Sequence, residues 1–142
     1  MKFLLDTDHI SILQKQSGQE YAALIARIAQ VRRADLAFCI VSFHEQVLGC
    51  NNYLAQAKTP TDVERGYWMF DRVLSAFAAA VVLPFDGNAS RAFDGLLKQR
   101  VRIATMDLRI AAIALSHGLT VLTRNARDFG KVPGLAIEDW TV

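Results

Sequence analysis

The stretch that decides the fold is Lys2-Phe3-Leu4-Leu5-Asp6-Thr7-Asp8-His9, in which a short apolar run ends at one carboxylate and a second follows after one residue. A strand buried on both faces reads as a continuous apolar run, as residues 3–5 do. Asp6 then stands at the carboxyl end of that strand, the edge where an open α/β sheet binds ligands. An aspartate desolvated by a buried strand needs a cation, a hydrogen-bond donor or a proton. By itself, Asp6 also suits an ordinary turn or helix cap.

Apolar runs of the same kind recur along the chain and alternate with helical patterns. We expect strands at residues 3–5, 36–41, 81–83 and 120–122, with a short final strand at 135–137. We expect helices at residues 20–33, 42–57, 60–77, 89–99 and 107–115, after a first short helix that Thr7 or Asp8 caps and Gly18 ends. This alternation predicts an α/β fold of three layers, with helices on both sides of a central parallel sheet of four or five strands (αβα).

Two helix starts follow from capping sequences. Ser42 and Glu45 have the spacing of a capping box, with Ser42 at the N-cap. Thr59 precedes Pro60, which suits a cap followed by the first helical position. We expect the helices on either side of this Thr-Pro pair to pack as an antiparallel pair against the sheet. The second helix has an apolar face that suits either the core or an association surface, with Tyr67, Trp68, Phe70 and Phe77.

Length and composition set the class of the protein. The 142 residues fit one domain, 1–142, and the apolar content of 52% fits a globular protein. The formal net charge of +2 permits a nucleic-acid partner without requiring one. Cys39 and Cys50 form no CxxC pair, so we expect a reducing cytoplasm rather than a disulfide framework. No window approaches the roughly 20 apolar residues of a membrane span, so no membrane association is expected.

Four acidic residues occupy related places in this predicted fold, namely Asp6, Glu45, Asp107 and Asp128. Three of them follow strands, so a parallel sheet brings them to one edge. Asp107 reaches that edge because right-handed crossovers run its helix antiparallel to the strands. Two carboxylates about 4 Å apart repel by about 4 kcal/mol at an effective dielectric of about 20, so the group needs raised pKa values or a bound cation. Oxygen ligands select hard cations such as Mg²⁺ or Mn²⁺.

Each acid also has a purely structural interpretation. Glu45 suits a capping box, Asp107 suits the favourable field at a helix N-terminus, and Asp128 suits a turn. Asp8 suits either a cap or a ligand, and Asp86 is better interpreted as a turn residue. The three histidines share no metal-ligand spacing and the chain has no HExxH sequence, which argues against zinc.

Five segments, in order and spanning nearly the whole chain, carry a family resemblance. They are Leu4-Leu5-Asp6-Thr7-Asp8, Ser42-Phe43-His44-Glu45, Leu83-Pro84-Phe85-Asp86, Ala104-Thr105-Met106-Asp107-Leu108-Arg109-Ile110-Ala111-Ala112 and Leu122-Thr123-Arg124-Asn125-Ala126-Arg127-Asp128-Phe129. In these segments the chain resembles PIN-domain proteins of the VapC toxin type, the ribonuclease half of a bacterial type II toxin–antitoxin pair. Each segment alone is loose, whereas the ordered set is specific.

The resemblance implies a PIN fold and a divalent-metal-dependent endoribonuclease that uses Mg²⁺ or Mn²⁺. By position, Asp6, Glu45, Asp107 and Asp128 match the family's acidic quartet, and Asp6 and Asp107 match its usual metal ligands. The resemblance also implies a cytoplasmic toxin that cleaves tRNA, rRNA or mRNA, binds a cognate antitoxin protein and forms a homodimer.

Four further positions match or depart from the family pattern. Thr123 and Asn125 match polar residues that support the acidic site. Ala104 stands where glycine is common, and Arg109 stands where an aliphatic residue is common. Neither departure removes a metal ligand, although Arg109 suggests altered substrate contacts.

Basic residues are expected near the same edge of the sheet, namely Arg100, Arg102, Arg109, Arg124, Arg127 and Lys131. As phosphate contacts they would position RNA without reading its sequence. The alternative is an ordinary solvated basic surface.

Two other functions stay open at the level of sequence. Asp6-Thr7-Asp8-His9-Ile10 resembles the first motif of haloacid-dehalogenase-type phosphotransferases, with Asp6 as nucleophile and Asp8 as acid/base. The chain is short for that family and lacks its later lysine and paired-aspartate motifs. A non-catalytic binding module on the same fold is the other alternative, and the presence of all four acids argues against it.

Overall fold

The computed structural model describes residues 1–142 and is built around a five-stranded sheet. The strands are β1 (Phe3–Leu5), β2 (Leu36–Cys39), β3 (Val82–Leu83), β4 (Thr120–Leu122) and β5 (Ile137–Glu138). They lie in the order β3-β2-β1-β4-β5, and every neighbouring pair is parallel. The predicted α/β fold with a parallel sheet of four or five strands is therefore confirmed.

Helices fill the connections between the strands. They are α1 (Thr7–Lys15), α2 (Gln19–Ile28), α3 (Ile40–Ala55), α4 (Pro60–Ala78), α5 (Gly87–Lys98), α6 (Thr105–His117) and the short α7 (Ala126–Phe129). Thr59 caps α4 and Pro60 opens it, as its sequence predicts. None of the helices combines the length and the apolar content that crossing a bilayer requires.

Two hydrophobic clusters lie on opposite faces of the sheet, and the alternation along β1 divides them. Leu4 belongs to the larger cluster, which α5, α6 and α7 complete. Leu5 belongs to the smaller one, which contains Ile10, Leu24 and Phe77 from α1, α2 and α4. A strand whose consecutive side chains both enter a core must be apolar throughout. This burial explains the continuous apolar run that opens the chain.

The helix predicted at 107–115 is confirmed as the most deeply buried one. Every residue of α6 from Ile110 to Ala114 is fully inaccessible to solvent. Gly118 ends the helix at φ 66°, a left-handed conformation that glycine adopts without a side-chain clash. Because α6 runs back toward the start of β4, its first turn lies at the carboxyl edge of the sheet.

Several predicted boundaries were wrong. The first helix is capped by Asp6 rather than by Thr7 or Asp8, and it ends at Lys15, before Gly18. The helix expected at 20–33 ends at Ile28, and Val31 reaches the smaller cluster from the connection instead of from a helix. The strand expected at 36–41 ends at Cys39, because Val41 is buried from the first turn of α3. The last strand is Ile137–Glu138 rather than 135–137. In the last three cases apolar spacing reports which side chains are buried, and a helix, a strand or a turn can each bury them.

The helices α3 and α4 pack closely, but only some of the aromatic residues predicted on the apolar face of α4 are buried. At Gly66 a Cβ atom would clash with the Leu54 side chain on α3, so a larger residue there would require Leu54 to move. Phe77 is core, whereas Tyr67 is 60% exposed and Trp68 is 51% exposed. The two exposed aromatic residues therefore belong to the surface and not to the core.

Candidate metal centre

Three acidic side chains from three elements meet beyond the carboxyl edge of β1. Ligand oxygens of Asp6, Glu45 and Asp107 all lie within 4.8 Å of one another. Asp6 follows β1 directly, Glu45 lies in the second turn of α3, and Asp107 lies in the first turn of α6. We call these three residues the acid cluster. No lysine, arginine or histidine nitrogen lies within 4.0 Å of their carboxylates.

Asp6 is held by donors on both of its oxygens. It is the N-cap of α1, and its Oδ1 accepts from the Thr7 backbone N–H at 2.7 Å. Its Oδ2 accepts from the Thr123 hydroxyl at 2.8 Å. Burial and the charge of Asp8 nevertheless raise the pKa of Asp6 to about 7. The two hydrogen bonds fix the carboxylate in place without neutralising it.

Glu45 is oriented by hydroxyl groups, which corrects the predicted capping box. Cys39, not Ser42, is the N-cap of α3, so Ser42 lies inside the helix. Thr7 donates from its hydroxyl to Glu45 Oε1 at 2.7 Å, and the Ser42 hydroxyl lies 3.0 Å from the Thr7 oxygen. The serine and the glutamate thus face the acid cluster rather than the helix end. No pattern in the sequence indicates this role of Thr7, because the contact joins two distant segments.

Asp107 is half-buried, and its pKa is raised, as that of Asp6 is. Burial, followed by the charges of Glu45, Asp128 and Asp8, raises the pKa of Asp107 to about 6. Its N-terminal position on α6 favours the ionised form, because the N–H groups of the first turn point toward it. The helix has no side-chain cap at Ala104, so those N–H groups remain available. The field of the helix is therefore outweighed by burial and by the neighbouring acids.

Asp128 does not join the acid cluster. It lies in α7, where Asn125 Nδ2 donates to its Oδ2 at 3.1 Å. The Asn125 side chain is the N-cap of α7 and accepts from the Asp128 backbone N–H at 3.3 Å, so Asp128 lies in a short helix rather than in the predicted turn. Lys131 Nζ lies 3.7 Å from its Oδ1. Its charge is still close enough to act on Asp107.

Asp8 serves neither as a cap nor within the acid cluster, because other groups hold both its oxygens. Its Oδ1 lies 2.7 Å from His9 Nδ1, and its Oδ2 accepts from the Arg124 backbone N–H at 2.9 Å. His9 is fully buried, and its Nε2 accepts from the Trp140 backbone N–H at 3.2 Å. This acceptor role assigns the ring proton to Nδ1. Asp139 Oδ1 lies 3.7 Å from Nε2 on the same side.

We call Asp8, His9, Asp139 and the Trp140 backbone the His9 network. It is joined to the acid cluster by Thr123, whose hydroxyl lies 2.8 Å from Asp6 and 3.4 Å from Asp8. The Asn125 backbone N–H donates to the same hydroxyl at 2.9 Å. The role of His9 could not be predicted from the sequence, because a buried histidine that bonds backbone and aspartate has no characteristic spacing.

The basic residues expected near this edge are mostly exposed. Arg100, Arg102, Arg124 and Arg127 form no ion pair, and Arg109 Nη1 lies 3.9 Å from Met106 Sδ. Lys131 is paired with Asp128. An exposed and unpaired guanidinium is free to meet a phosphate, so the two interpretations of this surface both remain predictions.

The donor set of the acid cluster suits a divalent cation. Burial, followed by the charges of neighbouring acids, raises the pKa of Asp6 to about 7 and that of Asp107 to about 6, and no protein cation offsets these effects. All the available ligand atoms are oxygens, which favours Mg²⁺ or Mn²⁺ over zinc. The residues present therefore fit a hard divalent ion.

Comparisons with known proteins agree with this arrangement. The profile of the PIN domain family matches residues 3–135. "Ribonuclease VapC1" of Rickettsia felis is 44% identical over 48 residues, which are 34% of this chain and 36% of that protein. "tRNA(fMet)-specific endonuclease VapC" of Salmonella typhimurium is 26% identical over 140 residues, 99% of this chain and 98% of that protein. The crystal structure of DNA-bound VapBC from Salmonella typhimurium superposes with a TM-score of 0.71 and 25% identity, over 99% of this chain and 98% of that one.

Proposed function

Because the chain belongs to the PIN domain family, we propose that it is the toxin of a type II toxin–antitoxin pair and a divalent-metal-dependent endoribonuclease. The convergence of Asp6, Glu45 and Asp107 without any neighbouring cation carries the proposal. Similarity to an endonuclease VapC along nearly the whole chain supports the reaction class. Similarity to a VapBC complex supports a cognate antitoxin as partner.

We assign Asp6 and Asp107 as the direct ligands of Mg²⁺ or Mn²⁺, with Glu45 completing the site. Asp128 lies outside the acid cluster and acts on it through its charge, and the hydrogen bond from Asn125 holds its carboxylate in place. When bound, the ion would lower the pKa of a water molecule and neutralise charge on the phosphodiester. The protein needs no covalent nucleophile for this reaction class.

The chain's own residues hold the acids ready for that task. Thr123 fixes Asp6, and Thr7 fixes Glu45, so both carboxylates keep one orientation before substrate arrives. A carboxylate binds a metal in its ionised form. Because the pKa values of Asp6 and Asp107 are raised, cation binding must displace any protons that these carboxyl groups carry. Glu45 has one oxygen on Thr7, and its other oxygen is free to accept a proton from a water in the crevice.

The phosphotransferase alternative has no support in the site. It requires Asp8 as a free acid/base beside Asp6, whereas His9 and the Arg124 backbone N–H hold both oxygens of Asp8. The alternative of a non-catalytic module with the same fold is distinguished from an enzyme by one property, which is whether the protein cleaves RNA.

Cleavage of RNA by the purified chain is the direct test. With Mg²⁺, the parent protein should cut an RNA pool that includes tRNA, and chelation of the metal should stop it. Asp6→Asn keeps the N-cap and the approximate volume but loses a charged ligand, so cleavage should vanish while the fold persists. Cleavage by Asp6→Asn at the parental rate would remove the assignment.

A further inference from the structure

A groove runs from the acid cluster along the surface between α1, α3 and α4. Its volume is about 580 Å³, and Glu45 and Thr7 line one end of it. Trp68 and Arg72 on α4 line the other part. Because Glu45 belongs both to the acid cluster and to the groove, the two are continuous. A substrate that reaches the acids can therefore extend along α4.

Trp68 is an exposed aromatic residue that is held in position. Its side chain is 51% exposed, whereas Phe77 on the same helix is buried in the core. The Arg72 guanidinium lies over the indole at 4.9 Å from the ring centroid. Arg72 in turn donates to the Gln14 backbone carbonyl at the end of α1. Two contacts thus restrain the cation, and the cation restrains the ring.

The charges along the groove run from negative to positive. The acid cluster lies at one end, while Arg72 and Lys15 line the groove away from it. An anionic chain with flat apolar groups complements this order, because its phosphates meet the cations and its bases meet the indole. Single-stranded nucleic acid is bound in this way in many proteins, with bases stacked on aromatic side chains and the backbone following basic residues.

We propose that Trp68 is the stacking platform for a nucleobase of single-stranded RNA close to the scissile phosphate. Arg72 already covers one face of the indole, so the base stacks on the opposite face, and the guanidinium binds a neighbouring phosphate. This inference rests on the proposed nuclease function and adds to it a subsite on α4. Stacking tolerates any base, so Trp68 sets affinity and register rather than a strict sequence.

A matched pair of substitutions separates this role from general surface effects. Trp68→Ala removes the indole, whereas Tyr67→Ala removes an adjacent ring that is 60% exposed and does not line the groove. Affinity for a labelled single-stranded oligoribonucleotide is measured without divalent ions, and cleavage is then measured with Mg²⁺. Trp68→Ala should weaken binding about 5- to 150-fold, Trp68→Phe should restore most of it, and Tyr67→Ala should match the parent.

A second variant fills the groove from the opposite wall. Gly49 lines the groove on α3, and a Cβ there would meet no atom within 4 Å. Gly49→Leu therefore adds bulk to open space, and leucine is the better helix former, so the fold should hold. Its affinity for the oligoribonucleotide should fall as that of Trp68→Ala does.

Several outcomes decide the proposal. Equal RNA affinity of the parent, Trp68→Ala and Gly49→Leu would overturn it, even if RNA cleavage itself is intact. Loss of affinity for a co-expressed partner protein with unchanged RNA affinity would also overturn it and would assign the groove to a peptide. If the parent cleaves no RNA and Asp6→Asn behaves identically, the nuclease function fails and the subsite fails with it.

Discussion

Two groups of carboxylates lie on either side of the Thr123 hydroxyl, and their surroundings differ. In the His9 network, Asp8 and Asp139 are met by an imidazole and by backbone N–H groups. Burial acts to raise the pKa of Asp139, but hydrogen bonds from Thr141 outweigh it and hold the pKa below its ordinary value. In the acid cluster, burial raises the pKa of Asp6 to about 7.

The difference shows which acids the fold completes by itself and which it leaves unfinished. The His9 network satisfies its carboxylates with protein donors, and it ties the last residues of the chain to α1. The acid cluster brings three carboxylates together with no cation, which is unfavourable unless an ion binds. We therefore interpret the first as structural and the second as functional.

Replacing one acid from each group should give opposite results, and this is the largest effect we expect. Asp107→Asn should lower cleavage of RNA about 1,000-fold, equal to about 4 kcal/mol, because a metal ligand is lost, while the melting temperature is kept or raised. Asp139→Asn should lower the melting temperature and leave cleavage within a few fold of the parent. The two variants are compared by initial cleavage rates and by thermal unfolding. Equal cleavage by both would break the distinction.

The stability of the metal-free protein should depend on pH because of Asp6. Between about pH 4 and pH 7, folded Asp6 holds a proton that the unfolded chain has already released. The free energy of unfolding should therefore fall as pH rises through this window, by about 3–4 kcal/mol. Denaturant titrations at several pH values measure it.

Asp6→Asn provides the control for this pH dependence. The variant has no titrating carboxyl at position 6, so the part of the fall that Asp6 causes should disappear, while the part that Asp107 causes should remain. Saturating Mg²⁺ should also reduce the fall in the parent, since metal binding favours the ionised carboxylates. A parent whose metal-free stability stays flat from pH 4 to pH 7 would contradict the buried, unneutralised state of Asp6.

Removing the imidazole should affect stability more than chemistry. His9→Leu leaves Asp8 and the Trp140 backbone N–H without their buried partner, so the free energy of unfolding should drop by about 2–3 kcal/mol. Cleavage measured well below the melting temperature should change little, because the Arg124 backbone N–H still holds Asp8. His44 on α3 is exposed, and His44→Leu should stay within about 0.5 kcal/mol of the parent. A stability loss of equal size in both variants would argue against the network.

Asp128→Asn should lower cleavage less than the loss of a member of the acid cluster does. Asp128→Asn removes a charge near Asp107 but no member of the acid cluster, so we expect about a tenfold loss, as for outer residues around a metal. Asp86 also follows a strand, yet it only caps α5, accepting from the Ala89 backbone N–H. Asp86→Asn should therefore cleave like the parent. A loss for Asp128→Asn as large as that for Asp107→Asn would place Asp128 among the essential ligands.

The sequence alone predicted the sheet and the meeting of three of the four acids for a definite reason, whereas Asp128 lies outside the acid cluster. Parallel strands share one carboxyl edge, so Asp6 and Glu45 follow from strand order alone, and Asp107 follows from the hand of the crossover. The continuous burial of α6 was equally visible, because apolar residues surround it.

Other features could not be predicted, because different structures share their patterns. Ser42 and Glu45 have the spacing of a capping box, and only tertiary contact with Thr7 shows that they serve the crevice. His9 gave no pattern at all. Trp68 lies on an apolar helix face, and periodicity does not say which part of such a face remains exposed.

Calorimetric titration of the metal-free protein with Mn²⁺ near pH 7 tests the central claim most directly. The parent should bind the ion saturably and release protons, since Asp6 has a pKa of about 7 and must ionise to ligate. Repeating the titration in buffers of different ionisation enthalpy counts those protons. Asp6→Asn should lose the binding and Asp139→Asn should keep it. A parent that binds no Mn²⁺, or an Asp6→Asn variant that binds it equally well, would contradict the account.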